Sequence, residues 1–109
     1  MKLSFQWDDA NTQHVMEDYP ERENTVEEVE SIFDDPNIVI VPDKISKRGE
    51  QEYSGVGYSN KNVIRFLAFT LRNNEIRVFS CRIANKKERA KYYEINQGKI
   101  ESNQDGEGN

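Results

Sequence analysis

The fold is decided by the stretch Val63-Ile64-Arg65-Phe66-Leu67-Ala68-Phe69-Thr70-Leu71. Apolar residues occupy both alternating sets of positions, which indicates a central strand that is covered on both faces. The segments on either side, 52–58 and 75–83, also read as strands. They are separated from it by asparagine-containing breaks at 59–62 and 72–74, and asparagine tolerates the positive φ that tight turns require. The sequence therefore predicts an antiparallel meander.

Further elements are predicted on both sides of this meander. Leu3–Trp7 alternates like a half-buried strand, and Asp8 and Asp9 supply N-cap chemistry for a first helix. Capping boxes begin a second helix at Thr25 and a basic final helix at Asn85. The predicted bounds are a strand over 3–7, a helix over 9–18, a helix from 26 that ends before Pro36, a strand over 37–41, a loop over 43–50 and a last helix ending near Ile95.

These elements predict an α+β fold with a mostly antiparallel sheet, two N-terminal helices and one C-terminal helix. The chain has 109 residues, of which 35% are hydrophobic and 32% charged, enough for one small core. We expect one domain over 1–97 and a disordered acidic tail over 98–109, because small and polar residues dominate there.

The composition also bears on the surroundings of the protein. No apolar run reaches the ~18–20 residues that span a bilayer, and acidic residues interrupt the start before any signal-peptide pattern develops. Cys81 is the only cysteine, so neither an intramolecular disulfide nor a cysteine metal cluster is expected. We expect a soluble, cytoplasmic protein.

The net charge of −5 hides an uneven distribution. Residues 1–36 hold eleven acids and two bases, whereas residues 37–100 hold six acids and thirteen bases. This asymmetry predicts one acidic and one basic face, the latter suited to a polyanion. An ordinary solvated surface is the alternative.

An ordered set of short motifs is similar to a known family. The motifs are Phe5-x-Trp7-Asp8, Asn11-x-x-His14, Glu27-Glu28, Ile32-Phe33-Asp34-Asp35-Pro36, Tyr53-x-x-x-Gly57, Phe69-Thr70-x-Arg72, Ile76-Arg77-x-x-Ser80-x-Arg82, Lys87-Glu88-Arg89 and Tyr92-Tyr93. In this order, over about residues 3–95, the set resembles the BrnT family of type II toxins. The resemblance implies a RelE-like fold, RNA cleavage without a metal or cofactor, and neutralisation by a small BrnA-like antitoxin. It implies no membrane partner, and contact with DNA only through the antitoxin complex.

Metal-free RNA cleavage needs a group that stabilises the crowded phosphorane, and arginine suits this task because its fork stays charged and grips phosphate in two places. Arg77 and Arg82 are the candidates. Arg77 shares a strand face with Phe79, whereas Arg82 has the opposite parity and depends on twist near the strand end to join it. The alternative is that these arginines pair with carboxylates of the acidic helices.

The remaining candidates are RNA-binding residues and one imidazole. The candidates for RNA binding are Arg72, Lys86, Lys87, Arg89 and Tyr93, of which the last two lie on one helical stripe. His14 is a candidate general acid or base, or else a structural residue beside Trp7 or Asp8. No metal ligand set is predicted, and Cys81 is expected to be inert core.

Two functions therefore stay open. The first is an RNA-cleaving toxin, which the basic segment and the two arginines favour. The second is a weakened or inactive binding module that acts through protein–protein or regulatory DNA complexes. The acidic net charge favours it, as does Glu52, which stands where relatives often carry an arginine. So does the segment 19–22, where they often carry a second histidine.

Overall fold

The computed structural model describes the backbone of residues 3–108 and the side chains of residues 3–97. The helices are α1 (Asp9–Thr12, continued by a π-helical turn over Gln13–Glu17), α2 (Val26–Ser31) and α3 (Lys86–Gly108), and the strands are β1 (Val39–Ile45), β2 (Gln51–Tyr58), β3 (Ile64–Arg72) and β4 (Glu75–Ile83). Short 3-10 turns lie at Pro20–Arg22 and Ile32–Asp34.

The strands form one antiparallel sheet in the order β1-β2-β3-β4. This confirms the α+β architecture, with two N-terminal helices and one C-terminal helix, and it confirms β3 as a central strand. The turns between strands place Asn62, Asn73 and Asn74 at positive φ of 61°, 54° and 64°. Asparagine in these turns therefore has the role that the sequence pattern assigned to it.

The first strand of the sheet is longer than predicted. β1 continues through Pro42 to Ile45 rather than ending at Val41, so the start of the predicted loop over 43–50 is wrong. Proline lacks an N–H and is excluded from central strands, but β1 lies at the edge of the sheet, where proline is tolerated.

The predicted strand at Leu3–Trp7 is wrong except at one point. It is reduced to a parallel bridge between Phe5 and Ile76. The chain then leaves the sheet, because the Trp7 indole donates to Glu30 at 2.8 Å and Asp8 caps α1. The first helix is also less regular than predicted, since its second half is a π-helical turn.

The sheet is covered differently on its two faces. On one, which we call the N-helix face, Leu67 and Cys81 are fully buried beside Val29 of α2 and Val15 of the π-helical turn. On the other, the α3 face, Ile64 and Ala84 pack with Tyr92 of α3. α3 covers only part of this face, and we call the remainder of β3 and β4 on it the open part. Arg72, Arg77, Phe79 and Ser80 are half-buried there, and Thr70 is buried.

Two hydrogen bonds anchor α3 to the segment that precedes β1. The Tyr92 hydroxyl donates to Asp35 at 2.7 Å, and the Asn96 amide donates to the Asn37 carbonyl at 3.1 Å. The helix runs well past the predicted end at Ile95. The division into a domain of 1–97 and a disordered tail of 98–109 stays a prediction, as does the RelE-like assignment. Among the residues described, no helix is both long enough and apolar enough to cross a membrane.

Candidate active site

A β-bulge in β4 brings the two candidate catalytic arginines onto one face. Ala68 pairs with Ser80 but Phe69 pairs with Val78, so Phe79 is an extra residue. Val78 and Cys81 consequently lie in the same core although they are three residues apart. Arg77 and Arg82 flank these buried residues, so both belong to the opposite, α3 face. The sequence reading that left Arg82 on the other parity is wrong, because it assumed an uninterrupted strand.

Arg77 lies at the open end of this face and is paired. Its Nη1 donates to Asp8 Oδ2 at 2.5 Å, and its side chain is 13% exposed. The hydrogen bond from Arg77 holds the pKa of the Asp8 carboxyl below its usual range. Asp8 also caps α1, so one carboxylate links a candidate catalytic arginine to the start of a helix.

Arg72 lies beside Arg77 at the same end, where β3 turns into β4. It makes a bidentate contact with Glu50, with both distances at 2.9 Å. This contact lowers the pKa of Glu50 and raises the pKa of Arg72. Arg77 adds to the field at Glu50, so the two arginines and two carboxylates form one charge cluster on the open part of the sheet.

Arg82 lies at the other end of the face, below the start of α3. Both of its terminal nitrogens donate to Glu88 at 2.8 Å, and its guanidinium stacks 4.3 Å from the centre of the Phe66 ring. Burial raises the pKa of Glu88, but hydrogen bonds from Arg82 and the Asn85 N–H together with the charge of Arg82 outweigh it, and the pKa is lowered. Glu88 also accepts from the Asn85 N–H at 2.9 Å, which confirms the predicted capping box.

The predicted RNA-binding residues of α3 differ in their contacts and in their position relative to Arg82. Lys86 and Lys87 are exposed in the first turn. Arg89 turns back and donates to the Ala84 carbonyl at 2.6 Å, which closes the strand–helix junction. The Tyr93 hydroxyl lies 2.5 Å from that of Tyr58, away from the arginines.

His14 lies apart from both arginine sites. It is carried by the π-helical turn on the N-helix face, where its Nδ1 lies 3.4 Å from Asp18 and its ring meets Tyr19 edge-on. The predicted structural contact with Trp7 or Asp8 is therefore wrong, and a catalytic role for His14 stays a prediction.

Sequence reasoning missed the principal buried ion pair. Glu28, the expected carboxylate of the capping box that begins at Thr25, is 1% exposed. It accepts from Arg65 Nε at 2.8 Å and from the Ser59 hydroxyl at 2.7 Å. Thr25 still caps α2 by accepting from the Glu28 N–H, but the Glu28 side chain does not return the contact. An arginine inside the otherwise apolar β3 was the one signal in the sequence.

Comparison with known families gives this geometry a context. The family model described as "Ribonuclease toxin, BrnT, of type II toxin-antitoxin system" matches residues 7–88. The chain belongs to the BrnT family. A search of the curated proteins found no match to it. The matched segment of this BrnT chain contains His14, Arg72, Arg77, Arg82, Lys86 and Lys87, whereas Arg89 and Tyr93 lie beyond it.

Membership of this family gives the chain a place in type II toxin–antitoxin systems, in which an antitoxin is the partner of the toxin. The side chains of residues 3–97 form no group of three histidine, cysteine or acidic residues spaced to hold a metal ion. Cys81 is fully buried, and burial raises its pKa to about 11. A thiol so far from its thiolate form is inert at neutral pH.

Proposed function

We propose that this BrnT chain cleaves RNA on the open part of the α3 face, without a metal ion. The observation that carries the proposal is the bulge at Phe79, which puts Arg77 and Arg82 on one face of β4 with Arg72 beside them. Three guanidinium groups along one open surface are suited to the phosphates of a single strand.

The two strand arginines are assigned to the reacting phosphate. The bound phosphate lies above Phe79, between Arg77 and Arg82. To contact it, Arg77 releases Asp8 and Arg82 releases Glu88. Guanidinium groups placed where charge develops stabilise the phosphorane. Arg72, Lys86, Lys87 and Arg89 hold neighbouring phosphates, and Tyr93 stacks on a base or donates a proton. RNA is the substrate and the cytoplasm the place of action.

RNA cleavage in excess chelator is the test. Purified chain, free of antitoxin, is expected to cleave RNA at the same rate with and without EDTA. Loss of activity in EDTA would reject the metal-free mechanism.

The proposed partner is a BrnA-like antitoxin. Membership of a type II toxin family supports it, as does the excess of basic over acidic residues between 37 and 100. DNA is reached only through the complex with this antitoxin. If opposite charges dominate the encounter, binding weakens as salt is raised. Co-purification at low and high ionic strength checks this, and no association at low salt counts against the proposal.

Asp8→Asn should increase the affinity for RNA about two- to fivefold, the usual worth of an exposed ion pair. Asparagine caps a helix as well as aspartate does, so α1 is preserved while Arg77 loses its anionic partner. Binding of a non-cleavable RNA, measured by fluorescence anisotropy at low salt, reads the change. Asp9→Asn removes the adjacent exposed charge as a matched control. Equal effects of the two variants would show that Arg77 is not a phosphate site.

A second function is favoured by one observation. Arg72, Arg77 and Arg82 are each bound by a carboxylate of this same chain, and Glu52 lies on the open face that they share. A binding module that keeps the toxin fold and the antitoxin surface would show these features. Absence of RNA cleavage by wild-type chain, together with intact antitoxin binding, would establish it.

A further inference from the structure

The outer edge of β1 is open. The strand pairs with β2 on one side only, and within the described backbone no other segment pairs with it. Its side chains are unusually apolar for an edge, since Ile40, Val41 and Ile45 are 44%, 48% and 65% exposed. Long apolar edges invite pairing with another chain, and proteins normally blunt or cover them.

An apolar depression adjoins this edge on each face of the sheet. On the α3 face, Val39 and Val41 of β1 line a groove together with Val56, Phe66 and Ile95. On the N-helix face, Ile40 joins a patch that is completed by Leu3, Phe33, Tyr53 and Leu71. A strand added beside β1 would send alternate side chains into the groove and onto the patch.

The far end of the edge is positively charged. After Pro42 the edge carries the exposed Asp43 and Lys44, and the exposed Lys47 and Arg48 follow Ile45 in the next turn. These three basic residues outnumber the one acid beside them. Lys91 lies at the rim of the groove. Among the side chains of residues 3–97, none of these four groups has an ion-pair partner, while the nearby Glu50 is taken by Arg72.

We propose that the antitoxin binds here by adding an extended segment to β1, with apolar residues opposite Val39–Val41 and acidic residues opposite Lys44–Arg48. The inference rests on the antitoxin partnership of the proposed function and names the surface for it. Pro42 has no N–H to offer, so the added ladder is centred on Val39–Val41. Backbone pairing supplies affinity, and the two apolar sites with the basic end supply specificity. The surface lies apart from Arg77 but adjoins Arg82, because Phe66 and Glu88 line the groove and both contact Arg82. A bound antitoxin would therefore lie against one end of the proposed phosphate site.

The test measures binding of the protein encoded by the adjoining reading frame to the full chain by calorimetry. Val41→Asp should weaken binding about 100-fold, because it places a charge in the apolar centre of the interface. Ile83→Asp is the matched control, since Ile83 is a comparably exposed aliphatic residue at the end of the opposite edge strand. We expect its affinity to stay within about threefold of wild type. Equal affinity of Val41→Asp and wild type, or no binding by wild type, would overturn the proposal.

Amide hydrogen exchange of the wild-type complex gives a second readout that needs no variant. Consecutive amides of a strand face opposite sides, so only those of Val39–Val41 that face away from β2 are expected to gain protection on binding. Unchanged exchange at these outward amides would overturn the proposal. If the free chain is instead a dimer that Val41→Asp converts to a monomer, the edge belongs to a second copy and the proposal fails. RNA cleavage by free Val41→Asp should equal that of wild type, so a failed ribonuclease assignment is recognised by the RNA assay and a failed docking surface by the binding assay.

Discussion

Glu28→Ala is expected to lower the free energy of unfolding by about 3–5 kcal/mol. Arg65 is 5% exposed, and the variant leaves its guanidinium inside the protein with no carboxylate. The Asn24 oxygen would still accept from Arg65 Nη1, but a neutral amide does not compensate a buried cation. Urea unfolding followed by circular dichroism measures the change.

Glu27→Ala is the matched control, because Glu27 precedes Glu28 on α2 and is exposed. We expect a change of at most about 0.5 kcal/mol for it. Similar destabilisation by the two variants would mean that the buried pair contributes no more than a surface charge.

The same pair predicts how stability depends on pH. Burial raises the pKa of Glu28, but hydrogen bonds from Ser59 and Arg65 and the charges of Arg65 and Lys61 together lower it by more. The folded pKa therefore lies below the unfolded one. A group of this kind stabilises the fold above its unfolded pKa, about 4.3 for glutamate, and the stabilisation is lost as pH falls through the folded value. Wild type should therefore lose more stability than Glu28→Gln on acidification below about pH 4.5.

Arg82→Ala and Arg77→Ala are each expected to slow RNA cleavage by about 10²–10³. In the proposed mechanism each variant lacks a charge that stabilises the phosphorane, so kcat should fall more than KM rises. The assay is single-turnover cleavage of a short RNA in EDTA.

Two further variants serve as controls for this prediction. Arg82→Lys retains the charge but not the planar guanidinium that stacks on Phe66, so a partial rate separates charge from geometry. His14→Ala should stay within about tenfold of wild type, because His14 lies apart from both arginines. Loss of a general acid or base would cost about 10²–10⁴ in rate. Unchanged rates in both arginine variants would reject the site, and a larger loss in His14→Ala would establish the imidazole as catalytic.

Local patterns predicted most of the sheet. The two-sided apolar pattern of β3 identified the central strand, and asparagine marked its turns, because alternation and turn chemistry are properties of neighbouring residues. The end of β1 was missed for a reason that is not local. Pro42 stops a strand unless the strand lies at an edge, and the position of a strand in a sheet is set by the whole fold.

The site was predicted as a set of residue types but not as a surface. Arg77 and Arg82 lie on one strand as predicted, and their catalytic role stays a prediction. Their shared face depends on the bulge at Phe79, which periodicity alone does not show. The Glu28–Arg65 pair was missed because its partners are 37 positions apart in the chain. A charge on an apolar strand indicates that a partner exists, and only the packing of α2 on β3 identifies it.

The bulge at Phe79 also changes how chain length relates to this surface. Removal of Phe79 would leave a regular ladder, because Ser80 already pairs with Ala68 and Val78 with Phe69. Every other side chain of β4 would keep its face. A relative with an unbulged strand would therefore carry the equivalent of Arg77 and Arg82 four positions apart instead of five. A one-residue gap at Phe79 in an alignment would therefore indicate that the relative has the same arginine surface on an unbulged strand.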